Sequence, residues 1–277
     1  MSIELDMIIM IPTYKRVGKQ FTWDLLPAEL QEYTLIVCPE DEVPKHVDTG
    51  IPEDNLLAQP DHISTISEKR AWMFRWAYEV GELDKAFMMD DDLSIEGRTP
   101  DGRLLRSGAT DDVLIEEFWR MADWLSPPIP QVGISHRPQN IHVEDTFADV
   151  GRCMYAFGFY LPVALKVIEF GRVSRREDMD YTLQLLLAGY KNRINYQICV
   201  SDRGYDNDDG GCSDERTLEE SNREAERLAE MYPGLVRVVE RDYNTSQPRK
   251  EVVVSWKKAY DTRALPMDLF RNRRANG

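Results

Sequence analysis

The chain has 277 residues, 42% hydrophobic and 30% charged, the balance of an ordinary folded protein long enough to bury a sizeable core. Its 34 Lys and Arg stand against 49 Asp and Glu, a formal net charge of −15, which argues against a broad electrostatic grip on nucleic acid. The cysteines at Cys38, Cys153, Cys199 and Cys212 have no CxxC spacing, so neither a zinc site nor a disulfide framework is expected.

The first apolar run, Met7 to Ile11, is too short for a signal peptide or a membrane span. Closed by Pro12-Thr13-Tyr14-Lys15-Arg16, it reads as a buried strand ending in a loop. A helix is expected over Phe21 to Glu32, a strand over Tyr33 to Cys38, and a loop over Asp41 to Asn55, which carries Pro44, Gly50 and Pro52. Ile66 to Gly81 has helical character, with a weak cap at Ser67 and Trp72, Trp76 and Val80 on one face. Ala86 to Met89 is another buried strand, and Asp90-Asp91-Asp92 follows it directly. Beyond it a turn-rich stretch, Arg98 to Arg103, precedes a helix over Val113 to Leu125. Val132 to Ser135, Cys153 to Leu161, Tyr196 to Ser201 and Val236 to Glu240 read as strands. Pro162 to Phe170, Glu177 to Gly189 and Glu215 to Met231 read as helices. Apolar strands alternating with helices predict an α/β fold with a mainly parallel central sheet flanked by helices, in a single domain.

The acidic triplet is the strongest candidate for chemistry. Three consecutive carboxylates repel one another, and alternation turns Asp90 and Asp92 to the same side of an extended chain. A hard cation such as Mg2+ or Mn2+ takes one or two carboxylates plus phosphate oxygens. In open α/β sheets, ligands bind at the carboxyl ends of strands, where the triplet lies. A helix cap in a solvated loop is the bland alternative, but Leu93-Ser94-Ile95 is a poor helix start. Tyr14 could stack on a base, and Lys15 or Arg16 could meet phosphates. Lys69 and Arg70 open a helix whose amides could face a diphosphate. Arg175-Arg176-Glu177-Asp178-Met179-Asp180 is a second acidic group, in which Asp178, backed by Glu177 and Asp180, could deprotonate a hydroxyl. Arg176 could hold Asp178 ionised. In Asp202 to Ser213 the Gly210-Gly211 pair permits an anion nest and Asp202 could ligate metal, while the spacing fails for an EF-hand. Each of these has an ordinary surface-charge alternative.

The Ile-Pro-Thr-Tyr strand end, the basic helix, the apolar strand into Asp-Asp-Asp and the late Glu-Asp helix start together resemble GT-A glycosyltransferases, over roughly residues 7 to 215. The Ile-Pro-Thr-Tyr-Lys-Arg opening and the Gly-Gly-Cys-Ser segment resemble, more narrowly, the TET/JBP-associated glycosyltransferases, inferred to glycosylate hydroxymethylated bases in DNA. The resemblance implies a GT-A, Rossmann-like fold. Residues 1–95 would form the nucleotide-sugar half, 96–215 the acceptor half and 216–277 a C-terminal helix and tail. It implies a donor that is a nucleotide sugar such as a UDP-sugar, with Mn2+ or Mg2+. Asp90 and Asp92 would hold the metal and diphosphate, and Asp91 would face the sugar or ribose. Pro12, Thr13, Tyr14 and Arg16 would line the nucleotide pocket, and Asp178 would be the acceptor-side base. The acceptor would be 5-hydroxymethylcytosine in phage DNA, framed by Arg172 to Arg176 and aromatics such as Tyr155, and the setting the host cytoplasm without a membrane. The usual late histidine ligand has no counterpart after His142, so Asp202 or another acid of residues 202–209 is the expected substitute, or the metal is held by fewer protein ligands. A saccharide, lipid or protein acceptor, or a non-catalytic DNA-associated scaffold, are the competing expectations. A sugar nucleotidyltransferase would want a Gly-rich loop after the first strand, which is missing.

Overall fold

The computed structural model describes residues 6–99, 101–102, 108–141, 143–203, 217–241 and 248–262. In chain order the first half contains β1 (Ile8–Pro12), α1 (Phe21–Leu25), α2 (Ala28–Gln31), β2 (Thr34–Pro39), α3 (Val43–Asp48), β3 (Leu56–Gln59), α4 (Ile66–Glu79), β4 (Lys85–Met89) and β5 (Leu93–Gly97). Then come α5 (Asp111–Trp124), β6 (Gln131–His136), α6 (Arg137–Asn140), β7 (Phe147–Asp149), β8 (Ala156–Tyr160), α7 (Leu161–Val167), α8 (Glu177–Leu187) and β9 (Asn192–Asp202). The C-terminal part holds α9 (Leu218–Met231), β10 (Val236–Arg241), β11 (Arg249–Val254) and α10 (Trp256–Thr262).

Among the described residues the central sheet has nine strands in the order β3-β2-β1-β4-β8-β6-β9-β5, with β7 also paired to β9. The pairings β2–β3, β1–β2, β1–β4 and β6–β9 are parallel, while β8, β5 and β7 run against their neighbours. The expected mainly parallel sheet flanked by helices is therefore present. Because β1, β4, β6 and β9 share one direction, their carboxyl ends gather along a single edge. Pro12, Asp90, His136 and Asp202 all fall there.

Side-chain alternation divides the core between the two faces. Phe87 and Met89 pack toward α5, where Phe118 meets Phe87 edge-on at 5.3 Å. Ala86 and Met88 face α4 and α8, among Phe74, Phe157 and Tyr181. A third cluster joins α8 to the C-terminal part through Leu183, Leu186, Leu228, Tyr232, Val236 and Ala259. Where β8 crosses β4, a Cβ at Gly158 would stand 2.6 Å from the Phe87 ring and 2.8 Å from the Ala86 carbonyl oxygen. Gly158→Ala is therefore expected to cost about 1–3 kcal/mol by overpacking, measured as a shift in urea midpoint at unchanged slope.

Several local expectations are corrected. The helix expected over Phe21 to Glu32 is two helices, because Leu26 before Pro27 is extended. The loop expected over Asp41 to Asn55 contains α3, which Pro44 enters in its first turn, where no amide hydrogen is needed. α4 is capped by Thr65 and Glu68 in a reciprocal capping box rather than at Ser67. Its buried face is Met73, Phe74 and Ala77, while Val80 is 65% exposed. Among the described residues no helix is long and apolar enough to cross a membrane.

Candidate active site

The triplet is held by the loop after β1 and by the start of α4. Thr22 of α1 donates to the Asp90 carbonyl at 2.5 Å and accepts from the Leu93 amide at 3.0 Å, which fixes the backbone of the turn. Asp90 and Asp92 are half-buried and Asp91 is buried, as alternation requires. The Asp91 carboxylate accepts from Thr13 Oγ1 at 2.6 Å and from Arg16 at 2.6 Å. Burial nevertheless pushes its pKa up to about 6. Its engagement inside the protein makes Asp91 the anchor of the loop after β1. Arg16 also donates to Asp92 at 2.7 Å, and Gln20 holds Thr13 Oγ1 at 2.9 Å.

Arg70 is buried between two carboxylates. It donates to Asp90 at 2.5 Å and to Glu177, which opens α8. Burial works against its charge, but Asp90 and Glu177 outweigh burial and raise its pKa. In turn burial pushes Asp90 and Glu177 up, opposed by Arg70. Arg70 and its two acids tie the end of strand β4 to the start of α8. Lys69, also buried, donates to the carbonyls of Thr13 at 2.7 Å and Val37 at 3.2 Å. Both basic residues are thus engaged inside the protein, Lys69 on the loop after β1 and on β2, Arg70 on the two acids. The entrance of the helix is served by its own cap: the Glu68 carboxylate accepts from the Ser64 and Thr65 amides at 3.0 and 3.1 Å, and Thr65 Oγ1 accepts from the Glu68 amide at 3.2 Å.

The second acidic group splits. Glu177 joins the triplet through Arg70, and Asp178 is half-buried, with its charge felt by Asp90, Arg70 and Glu177. Among the described residues the Asp178 carboxylate has no hydrogen bond or ion pair. Asp180 is fully buried on the other side of the helix, accepting from Tyr232 at 2.5 Å and Gln184 at 2.9 Å. It is not brought to the triplet. Arg176 faces away as well, donating to the Ser221 carbonyl at 2.9 Å and the Lys250 carbonyl at 3.2 Å.

Asp202 does reach the site. It pairs in register with Leu93, and the Arg203 amide donates to the Asp92 carbonyl at 3.2 Å. Gly210 and Gly211 lie outside the described residues. Sequence reasoning misses the contributions of Glu42 and His136, and it names Tyr155 only as an aromatic framing the acceptor. Glu42 accepts from the Lys15 amide at 2.9 Å and so holds Lys15 in a left-handed conformation. Tyr155, also left-handed, accepts from the Asp90 amide at 2.9 Å through its carbonyl and donates to Asp202 at 3.2 Å through its hydroxyl. His136 packs edge-on against the Tyr155 ring at 5.3 Å. The positive φ of Lys15 and Tyr155 beside the acidic triplet is a property of the fold that residue type does not reveal.

The profile of the TET-associated glycosyltransferase family matches residues 7–203. The chain belongs to that family. It is an enzyme, a glycosyltransferase. The beta-glucosyl-HMC-alpha-glucosyl-transferase of Enterobacteria phage T6 is 22% identical over 243 residues, covering 80% of each chain. Among solved structures, the mannose-1-phosphate geranyltransferase of Thermus thermophilus superposes with a TM-score of 0.44 at 12% identity, over 97% of this chain and 99% of that one. The matched family segment ends one residue past β9 and so contains every element of the site described above.

Proposed function

We propose that this glycosyltransferase moves a sugar from a nucleoside-diphosphate donor to a hydroxyl carried on a hydroxymethylated cytosine in DNA. The observation that carries the reading is the triplet, set at the carboxyl ends of parallel strands beside Thr13, Arg16 and Arg70. The donor diphosphate would lie across Asp90 and Asp92, with the Tyr14 ring, 42% exposed, available to the base.

The residues fit a divalent cation, Mn2+ or Mg2+, of the kind that keeps few protein ligands. Arginine occupies one oxygen of Asp90 and one of Asp92, and Oδ2 of Asp90 and Oδ1 of Asp92 carry no partner among the described residues. Among the described residues no cluster of three or more acidic, His or Cys groups forms a full cage. Two carboxylates, with Asp202 close by, would leave the remaining positions to diphosphate oxygens and water. When bound, the cation would supply charge stabilisation to the leaving diphosphate. Arg16 adds positive charge on the same side. Tyr155 keeps Asp90 and Asp202 in fixed relation. Asp178, the neighbour of Glu177 whose charge reaches Arg70 and Asp90, would in an inverting reaction take the acceptor proton at its carboxylate.

The phage relative supports the DNA setting, and its name also favours a second acceptor. That protein acts on glucose already attached to the base, so a sugar hydroxyl on modified DNA is the alternative to the hydroxymethyl group itself. Incubation of hydroxymethylated, glucosylated and unmodified DNA with labelled nucleotide sugars separates them. Label retained on a modified DNA supports the reading, and donor hydrolysis without retention on any DNA contradicts it. Asp178→Asn is expected to leave donor affinity within about two-fold and lower transfer by about 10²–10⁴-fold, the usual size of general-base catalysis. Normal transfer by this variant would remove Asp178 from the base role.

A further inference from the structure

The hairpin β10–β11 lies beyond the segment matched by the family profile, and its two faces differ sharply in chemistry. Register pairs Arg237 with Val253, Val239 with Glu251 and Arg241 with Arg249, and alternation puts these six on one face. The opposite face carries Val236, Val238, Glu240, Lys250, Val252 and Val254. From it Val236, Val252 and Val254 pack against α8, α9 and α10. The first face is the one left toward solvent, with Arg237, Arg241, Arg249 and Val253 exposed. Three arginines and one glutamate on a single face stand out in a chain of net charge −15. Arg241 and Arg249 lie directly across from each other, and Glu251 is the single carboxylate on that face, which leaves the face net positive. Glu251 reaches Arg241 at 3.2 Å, a neighbour on the same face.

The ribbon is held rigidly to the catalytic core. Asn222 of α9 accepts from the Lys250 amide at 2.7 Å and donates to the Pro248 carbonyl at 3.1 Å. Arg176, two residues before Asp178, donates to the Lys250 carbonyl at 3.2 Å, and the charge of Arg249 reaches it. The arginine end of the hairpin therefore abuts the start of α8.

We propose that the solvent face of β10–β11, through Arg237, Arg241 and Arg249, is a docking ribbon for double-stranded DNA. A two-stranded ribbon has the width of the major groove, and arginines suit both phosphates and groove edges. Placed beside α8, the ribbon would hold the duplex while the modified base is turned out toward Asp178. This rests on the DNA acceptor proposed above and adds the surface that recruits it.

The test is fluorescence anisotropy of the full chain with a labelled hydroxymethylated duplex across a salt series. Wild type is compared with the Arg237→Gln/Arg241→Gln/Arg249→Gln variant and with Arg249→Glu alone. Each arginine lost is expected to reduce the salt slope by about one, and the triple variant to bind roughly a hundred-fold more weakly at low salt. Melting temperature and acceptor-free donor hydrolysis should stay at wild-type values, because these side chains are exposed and none of them contacts Asp90, Asp91 or Asp92 among the described residues. Wild-type affinity and slope in the triple variant would overturn the proposal. So would a wild-type chain that hydrolyses donor yet binds no duplex, a result that leaves the glycosyltransferase reading of the site intact. Loss of donor hydrolysis in wild type would instead count against that reading, with the ribbon still judged by the anisotropy.

Discussion

Asp90→Asn and Asp92→Asn are each expected to lower kcat/KM by about a thousand-fold, which corresponds to several kcal/mol of lost charge stabilisation at the leaving diphosphate. Both side chains are half-buried at the carboxyl ends of the parallel strands, and each has one oxygen on an arginine and one without a partner among the described residues. Substitution by the isosteric amide keeps the shape and removes the charge that a divalent cation needs. The diagnostic readout is donor affinity measured by calorimetry with Mn2+ and again with chelator. In wild type the metal should increase affinity, and in both variants that increment should vanish. Asp91→Asn behaves differently on this account. Its carboxylate is spent on Thr13 and Arg16, so the expected effect is a looser nucleotide loop, seen as weaker donor binding with the metal increment retained. An increment that survives in Asp90→Asn and Asp92→Asn would remove the triplet from the metal role.

Arg70→Met is expected to be the most destabilising single change at the site, by roughly 3–5 kcal/mol, because it leaves buried carboxylates without their counter-charge. Arg70 is the bridge between Asp90 at the end of β4 and Glu177 at the start of α8, and burial already raises the pKa of both acids. The pH dependence has a definite sign. A buried carboxyl whose folded pKa lies above its unfolded value contributes most at low pH, where both states are protonated, and stability is lost as pH rises through the interval between the two values. With Arg70 gone that interval widens, so the deficit of Arg70→Met should be larger at pH about 8 than at about 5. Adding Glu177→Gln should recover part of the loss. Urea denaturation at the two pH values checks all three statements. Equal deficits at both, with no recovery in the double variant, would show that the bridge is not what Arg70 contributes.

The parts of the site that are legible in sequence are those carried by local pattern. The apolar runs Ile8–Pro12 and Lys85–Met89 announce buried strands, and residues directly following them fall at one edge by topology alone. Asp202 is legible for the same reason. Long-range partners are not. Arg70 and Glu177 are separated by 107 positions, and nothing local distinguishes their salt bridge from the solvated charges expected of a helix start. Asp180 looks equivalent to Asp178 in sequence, yet two residues of helix rotate it to the opposite side, where Tyr232 claims it. β5 escapes a pattern reading because its alternation, buried at Leu93, Ile95 and Gly97, is short and begins inside the acidic turn. Tyr155 reads in sequence as one more strand aromatic. What sets it beside the triplet is a positive φ and a carbonyl on the Asp90 amide, neither of which is a property of residue type. The basic stretch from Arg172 to Arg176 reads as the acceptor's electrostatic contact. In the fold Arg172 lies 3.8 Å from Asp180 and Arg176 holds the C-terminal hairpin, while three exposed arginines share one face of β10–β11.

The most direct measurement of the central claim is mass spectrometry of nucleosides released from hydroxymethylated DNA, bare or already glucosylated, after incubation with the protein, Mn2+ and a panel of nucleotide sugars. The account predicts a new nucleoside heavier by one sugar residue, formed with one donor in the panel, dependent on the metal and missing with Asp90→Asn. Unchanged nucleosides from both DNAs with every donor, under conditions where the protein is folded and the donor is bound, would contradict it.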